Sequence, residues 1–223
     1  MMNNQAKVRR VSQPPAVLAP QDPVWHRAAT ISIDRFRPEG SSHRPQTSLQ
    51  LLHGDRVLYG LFQVADQYVR CRHQCYGDPV YRDSCVEFFF QPKPGLGYFN
   101  FEFNCGGAFL SNYITDETRV AGGFKEYIKL GVEDVKSVRI AASLPKTVEP
   151  EVAQPLSWWL AFAIPVSVAE RFVGPVKALS GQVWRANAYK CGDETSHPHW
   201  AAWSPVDQLN FHLPRCFGEL VFE

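Results

Sequence analysis

The sequence predicts an all-β protein, specifically a single-domain antiparallel β-sandwich of the jelly-roll type with one or two short helical turns. Short segments rich in β-branched and aromatic residues recur along the chain, and Gly, Pro, Asp and Asn separate them. Several of these segments alternate polar and apolar residues, which is typical of half-buried strands. Many short strands without regular helices indicate a sandwich, and a chain of 223 residues can bury one sizeable core.

The predicted elements follow in chain order. Residues 1–22 are polar and Pro-rich without periodicity, so we expect an N-terminal arm, followed by the sandwich domain at 23–223. A short helix is expected at 166–172, because Pro165 suits a first helical turn and Gly174 suits a helix end. The polar segment 147–155 is expected to be a loop. Strands are predicted at 29–33, 47–52, 57–64, 68–73, 85–90, 98–105, 108–112, 138–144, 157–164, 183–189 and 219–222.

The most informative segment, 78–107, contains two strands that each place polar groups on one face. In YFNFEFN (98–104), the three phenylalanines point one way, while Asn100, Glu102 and the other polar residues point the other way. In CVEFFF (85–90), Glu87 lies opposite the face of Val86 and Phe88. A carboxylate among apolar neighbours needs a partner or a ligand. A sheet face of carboxylate, amide and phenol groups would suit an array of sugar hydroxyls.

The same alternation predicts which large side chains form the core. They are expected to lie between two antiparallel sheets that pack face to face. These residues are Phe88, Phe90, Phe99, Phe101, Phe103, Phe162 and Trp184.

Charge and hydropathy exclude some function classes and partners. The chain has 23 Lys and Arg against 22 Asp and Glu, which argues against a nucleic-acid partner. It has no run of 18 apolar residues, so no membrane span is expected. Residues 1–20 lack the apolar region of a secretory signal, which favours the cytoplasm as its location.

The six cysteines are too few and too scattered for a disulfide scaffold in a chain of this length. Cys71, His73 and Cys75 have the spacing of half a metal site, but no second pair matches them. We therefore interpret the cysteines as structural thiols, with Cys85 and Cys105 as small core residues.

Seven ordered segments resemble a known family. Together they are similar in order and spacing to the family 9 carbohydrate-binding modules and their DOMON-like relatives, from about Ala16 to the C-terminus. The segments are LYGLFQVAD (58–66), DSCVEFFF (83–90), YFNFEFN (98–104), WWLAFAIP (158–165), WRAN (184–187), WSP (203–205) and FHLPRCFGELVF (211–222).

The resemblance implies a β-sandwich that binds a carbohydrate without catalysis, as an accessory in polysaccharide or oligosaccharide breakdown. The ligand would be a saccharide end or a short oligosaccharide, clamped between two aromatic rings. Glu87 matches the family's hydroxyl-binding glutamate and Asn187 its asparagine. Tyr81, six residues before Glu87, replaces the first clamp Trp, and either Tyr189 or Trp203 would be the second.

Three further residues, Asn100, Glu102 and Arg185, are predicted to contact the same sugar because they share the polar face. The resemblance also implies structural calcium, although no loop of D-x-D-x-D type identifies its ligands. No other cofactor is expected.

The residues also allow structural explanations for the polar face. Glu87 could instead form a buried salt bridge with Arg82 or Arg185. Asn100, Glu102 and Asn104 could lie on a solvated outer face, as in many antiparallel sheets.

Two other functions compete with sugar binding. A glycosidase needs two carboxyl groups about 5–10 Å apart, and Glu87 and Glu102 could supply them, with Asp78 and Asp83 as further candidates. Some DOMON-like domains bind haem through Met and His, but the only methionines, Met1 and Met2, lie in the arm, which excludes this ligation unless the arm folds back. Ligation of haem by two of the seven histidines stays open. The segment HPH (197–199) is expected to form a turn with solvated rings.

Overall fold

Sixteen strands and two short α-helices form the protein in a computed structural model that describes residues 4–223. The helices are α1 (Val132–Val135) and α2 (Ser167–Val173). The strands are β1 (Gln5–Arg10), β2 (Thr30–Ser32), β3 (Arg35–Phe36), β4 (Gln46–His53), β5 (Val57–Asp66), β6 (Val69–Cys71), β7 (Cys85–Gln91), β8 (Tyr98–Asn104), β9 (Phe109–Val120), β10 (Gly123–Lys129), β11 (Arg139–Ala142), β12 (Val148–Val152), β13 (Leu156–Pro165), β14 (Val183–Cys191), β15 (Trp200–Ala202) and β16 (Gly218–Phe222).

Two main sheets face each other, and β6 pairs with β12 in a separate two-stranded sheet. The first sheet has the order β10-β9-β8-β7-β14-β16, and the second has the order β4-β5-β13-β11. Neighbours within each of these runs are antiparallel. The β-sandwich predicted from the sequence is therefore confirmed.

The aromatic core lies between the two sheets. Phe162 of β13 stacks on Phe88 of β7 and on Phe103 of β8, with ring centroids 5.6 and 5.5 Å apart. Full burial of one such ring contributes about 1.5–3 kcal/mol. All seven residues predicted for the core are buried, with exposures of 2% or less: Phe88, Phe90, Phe99, Phe101, Phe103, Phe162 and Trp184.

The segment predicted to be an arm contributes a strand, which corrects the sequence prediction. β1 pairs in parallel with β16 at one end and with β4 at the other, so it joins the two sheets. Val8 is fully buried, and Trp25 is buried on the outer face of the second sheet. Residues 1–3 of the predicted arm lie outside the described residues. The sequence analysis missed this strand because its residues, QAKVRR, show no regular alternation of apolar and polar side chains.

Other elements differ from the prediction in extent. The strand predicted at 108–112 continues to Val120 and returns as β10, and β12 occupies part of the loop expected at 147–155. The helix expected at 166–172 runs from Ser167 to Val173, and Gly174 ends it with φ of +68°. Pro165 closes β13 instead of opening this helix.

No helix within residues 4–223 is long and apolar enough to cross a membrane.

A buried ion pair connects the sheets at one end of the sandwich. The Lys190 ammonium of β14 lies 3.4 Å from the Asp66 carboxylate of β5, and both side chains are completely buried. Lys190 also lies 2.8 Å from Nε2 of His199. The Trp158 indole donates a hydrogen bond to the Asp66 carboxylate, and His43 Nε2 lies 2.8 Å from an oxygen of the same carboxylate. His199 is therefore buried, which corrects the expectation of a solvated ring.

These contacts shift the pKa values of the cluster. Burial favours the neutral form of Asp66, but the Lys190 charge and hydrogen bonds from His43 and Trp158 outweigh it and hold the Asp66 pKa well below its usual range. Burial and the Lys190 charge lower the pKa of His199 to about 3, so the ring is neutral at pH 7. Lys190 is thus the cation that neutralises Asp66.

The first prediction concerns this pair. Lys190→Met should destabilise the protein by about 3–5 kcal/mol, because it leaves a buried carboxylate without its partner. Lys7→Met removes an exposed ion pair with Glu223 and should cost less than about 1 kcal/mol. Urea denaturation at pH 7 measures both. Equal losses in the two variants would show that the buried pair does not stabilise the sandwich.

Candidate functional site

A cleft of about 870 Å³ opens on the outer face of the first sheet, above β7, β8 and β9. Its floor comes from the strands and its walls come from three loops and a hairpin. Of the predicted site residues, four line this cleft: Tyr81, Glu87, Asn100 and Glu102.

Two carboxyl groups lie at the centre of the floor. Glu87 of β7 and Glu102 of β8 are directly opposite in register, and their exposures are 3% and 5%. Asn100 donates a hydrogen bond of 2.7 Å to Glu102, and its amide oxygen accepts one from the Asn112 backbone. The floor therefore presents carboxyl and amide groups in fixed positions.

Burial shifts the protonation of both carboxyl groups. It raises the pKa of Glu102 to about 7, against a smaller opposing effect of the Asn100 hydrogen bond. Burial, together with the neighbouring Cys191 and Glu102, raises the pKa of Glu87 well above its ordinary value. A hydroxyl-rich ligand would stabilise the charged forms by donating hydrogen bonds to them.

Tyr81 forms one wall and is positioned by a buried aspartate. It lies in a short 3-10 helix, Val80–Arg82, that precedes β7. Asp83 accepts hydrogen bonds of 2.9 Å from the His73 backbone and from the Asn104 side chain of β8. The Tyr81 carbonyl also accepts a hydrogen bond from the Asp193 backbone. These contacts fix the tyrosine at the edge of the sheet.

Trp200 forms the wall beside Tyr81. It is the first residue of β15 and is opposite Cys191 of β14. Its indole nitrogen donates a hydrogen bond of 2.7 Å to the Asp193 carboxylate. The ring is half-buried and lines the cleft. Trp200 was not among the site residues predicted from the sequence, so this position was missed.

The hairpin of β9 and β10 forms a third wall, which the sequence analysis also missed. Phe124 and Tyr127 line the cleft, and the Arg119 guanidinium lies 4.2 Å from the Phe124 ring centroid. The turn contains Gly122 and Gly123, both with positive φ. A Gly-Gly pair between two β-rich runs is a known hairpin signal and could have revealed this element.

The segment 208–212 completes the cleft. The His212 ring contacts Phe124, with centroids 4.4 Å apart, and its Nδ1 lies 2.9 Å from the Tyr98 hydroxyl. Burial and the nearby Arg119 charge lower the His212 pKa well below its ordinary value. The buried Ser111 hydroxyl has no hydrogen-bond partner within the described chain. Ser111 is opposite Phe101 in register, so its side chain shares the core face of the sheet and does not face the cleft.

The other four predicted site residues do not line the cleft, which corrects their predicted convergence with Glu87. Asn187 bonds with the Ser204 backbone, and the Tyr189 hydroxyl donates to the Phe211 carbonyl. Arg185 donates to the carbonyls of Arg215 and Phe217. The 204–217 segment covers these outward-facing side chains. Trp203 belongs to the inner core.

The structural explanations for the polar face are also corrected. Among residues 4–223, no cation pairs with Glu87, since Arg82 pairs with Glu194 and Arg185 binds backbone carbonyls. Asn100, Glu102 and Asn104 are buried, so this face is not a solvated one.

The side chains that could hold a metal ion do not have the ligand types that calcium prefers. Within the described chain, two groups of side chains lie close enough: His43, Asp66 and His199, and Cys85, Glu87 and Cys191. Calcium prefers six to eight oxygen ligands, whereas these groups are dominated by nitrogen and sulfur. Neither group fits calcium.

Comparisons with known proteins connect this geometry to a family. The model of carbohydrate-binding family 9 matches residues 20–222. A candidate carbohydrate-binding protein from Bacteroides uniformis is 28% identical, with a TM-score of 0.86 over 99% of this chain and 100% of that chain. Among curated proteins, no match was found.

Two further solved structures share the fold. Both are family 9 carbohydrate-binding modules from Caldicellulosiruptor kristjanssonii, and each has a TM-score of 0.66 over 99% of this chain. One, in complex with glucose, is 13% identical and is covered over 96% of its length. The other, in complex with cellotriose, is 12% identical and is covered over 94%.

The second prediction follows from the pKa of Glu102. Because the pKa of Glu102 is raised in the folded protein, the protonated carboxyl contributes fully to stability below about pH 4.5. This contribution is lost as the pH rises through 7. Glu102→Gln should therefore gain stability relative to wild type between pH 4.5 and 8, by about 3 kcal/mol at 1.36 kcal/mol per pK unit. Urea denaturation across this range measures the difference.

Glu223→Gln is the matched control for this experiment. Lys7 lowers the pKa of Glu223, so the contribution of this carboxylate is lost as the pH falls, the opposite direction. A stability difference between wild type and Glu102→Gln that stays constant across the pH range would contradict the prediction.

Proposed function

We propose, because the chain belongs to carbohydrate-binding family 9, that its outer cleft binds a saccharide end or a short oligosaccharide without altering it chemically. The observation that carries this proposal is the combination of a polar floor with aromatic walls. Glu87, Asn100 and Glu102 form the floor, while Tyr81 and Trp200 rise beside it.

This combination matches the two chemical aspects of a pyranose ring. The faces of the ring carry C–H groups, which pack on aromatic faces and exclude water. Its rim carries hydroxyl groups, which donate hydrogen bonds to carboxylates. Hydrogen bonds to charged acceptors contribute about 1.5–3 kcal/mol each. Stacking would thus supply affinity, and the floor would select the arrangement of hydroxyls.

The size of the cleft supports a short ligand. Clefts of about 300–1,000 Å³ enclose small molecules, and this one measures about 870 Å³. The related modules in complex with glucose and cellotriose indicate a glucose-containing saccharide as the first ligand to test.

The electrostatics of the floor favour binding over hydrolysis. A glycosidase keeps one carboxyl protonated as the acid and the other ionised, so their environments must separate the two pKa values. Here burial raises the pKa of both Glu87 and Glu102. Neither carboxyl has a cation that would keep it ionised within the described chain. Haem ligation through Met would need Met1 or Met2, which lie outside the described residues, whereas ligation by two histidines would not.

The third prediction tests the binding site. Glu87→Gln should weaken binding of glucose or cellotriose by about 10- to 100-fold, through loss of a charged hydrogen-bond acceptor. Trp200→Ala should weaken it at least about tenfold, because it removes one aromatic wall. Isothermal titration calorimetry gives both affinities. Trp159→Ala is the control, since this half-buried tryptophan lines a separate hollow on the second sheet.

Unchanged affinity in both cleft variants would refute this site. An equal loss in Trp159→Ala would do so as well, because the effect would then not be specific to the cleft. Circular dichroism melts on the same samples identify any variant that has unfolded.

The fourth prediction concerns catalysis. The purified protein should release no product from aryl glycosides or cello-oligosaccharides, because burial raises the pKa of both carboxyl groups and so disfavours the ionised nucleophile or base that hydrolysis needs. Chromatography of overnight incubations measures this. Turnover that disappears in a folded Glu87→Gln variant would establish an enzyme.

A further inference from the structure

Two cysteines flank the carboxyl group of Glu87 on the outer face of the first sheet. Cys85 of β7 and Cys191 of β14 are directly opposite in register, and Glu87 is two residues beyond Cys85 on the same face. Their two Sγ atoms and one carboxylate oxygen lie within 4.8 Å of one another. Cys191 Sγ is 3.2 Å from Glu87 Oε1.

These distances are close to those of a metal site. Around a tetrahedral zinc ion, with bonds of about 2.0–2.3 Å, neighbouring ligand atoms lie about 3.3–3.8 Å apart. Side-chain rotations that move these three atoms by about 1 Å or less would bring them to that spacing. Thiolate ligands favour zinc-class and other thiophilic ions over calcium and magnesium.

The backbone pairing favours a metal over a disulfide. The Trp203 N–H donates to the Ala188 carbonyl, so the backbone N–H and C=O groups of Ala188 and Lys190 point towards β15. Backbone groups of successive residues point to opposite sides of a strand, so those of Cys191 point towards β7. Cys85 and Cys191 are therefore a hydrogen-bonded pair. In such pairs the Cα atoms are about 5.5 Å apart and the side chains are less close than in the alternate pairs. A disulfide needs Cβ atoms about 3.8 Å apart.

An ion could reach the site through the cleft. Glu87 and Cys191 both line the cleft, whereas Cys85 lies behind them and is fully buried. Three protein ligands leave one tetrahedral position, which faces the cleft and its solvent. The second cluster, of His43, Asp66 and His199, is different because the Lys190 ammonium already neutralises it.

We propose that Cys85, Cys191 and Glu87 form a binding site for a thiophilic divalent cation of the zinc class, with water from the cleft as fourth ligand. This site goes beyond the proposed function and does not depend on a sugar.

The test uses Co²⁺ as a spectroscopic probe and Zn²⁺ as a competitor. The background variant carries Cys75→Ser and Cys216→Ser, which removes the two cysteines that are not buried. Under reducing, oxygen-free conditions, one equivalent of Co²⁺ should produce a thiolate-to-cobalt charge-transfer band that Zn²⁺ abolishes. Adding Cys85→Ser should weaken Co²⁺ binding at least about 100-fold, more than the loss of an outer-shell partner.

The matched control is Cys71→Ser, which removes another buried thiol outside the proposed site. It should keep the cobalt band unchanged. Glu87→Gln serves as a second ligand variant in case Cys85→Ser does not fold, and it should weaken Co²⁺ binding with the fold intact by circular dichroism.

Absence of the band in the background variant would overturn the proposal, and so would a band that survives both ligand variants. Purified protein whose Cys85 and Cys191 form a disulfide, identified by mass spectrometry, would also overturn it.

A separate titration keeps this proposal distinct from the sugar site. Cys85 does not line the cleft, so Cys85→Ser should bind glucose normally in the presence of a chelator. Zn²⁺ should weaken glucose binding by the background variant but not by the variant with Cys85→Ser. A cobalt band without any effect of Zn²⁺ on glucose supports the metal site and counts against Glu87 as a sugar ligand.

Discussion

Period-2 alternation along β7 and β8 is the constraint on which both the fold and the cleft depend. Inward residues such as Phe88 and Phe103 stack on Phe162 of the opposite sheet. Outward residues, including Glu87 and Glu102, form the floor of the cleft. A register slip of one residue would place carboxylates in the aromatic core and phenylalanines on the floor. Core packing therefore helps to hold the polar groups in position, in addition to their own hydrogen bonds.

The walls follow a different principle from the floor. Each wall is a loop or hairpin, and specific polar contacts anchor two of them. Asp83 and Asn104 hold the segment before β7, and the Asp193 carboxylate holds the Trp200 indole. A rigid sheet with anchored loops is a common way to combine a stable scaffold with an adaptable binding surface. Changes in the loops can alter the aromatic walls while the floor stays constant.

The sequence predicted what short-range periodicity encodes. The sandwich, the seven core aromatics and the outward direction of Glu87, Asn100 and Glu102 all follow from alternation within one strand. The burial of Asn187 and Tyr189 does not follow from alternation, because it comes from the 204–217 segment, which folds back over β14 without a regular pattern. Trp200 was missed for a similar reason, since its direction depends on a three-residue strand at the sheet edge.

The pairing of β1 with β16 limits when the sandwich can close during synthesis. Gln5 pairs with Glu219 and Val8 pairs with Phe222, so the first strand aligns with the last across almost the whole chain. During synthesis, β1 has no β16 to pair with until residues 218–222 have left the ribosome. Long-range parallel pairing is slow, and unpaired edges are prone to aggregate. The pairing of β1 with β16 can therefore form only after every other strand of the sandwich has been synthesised.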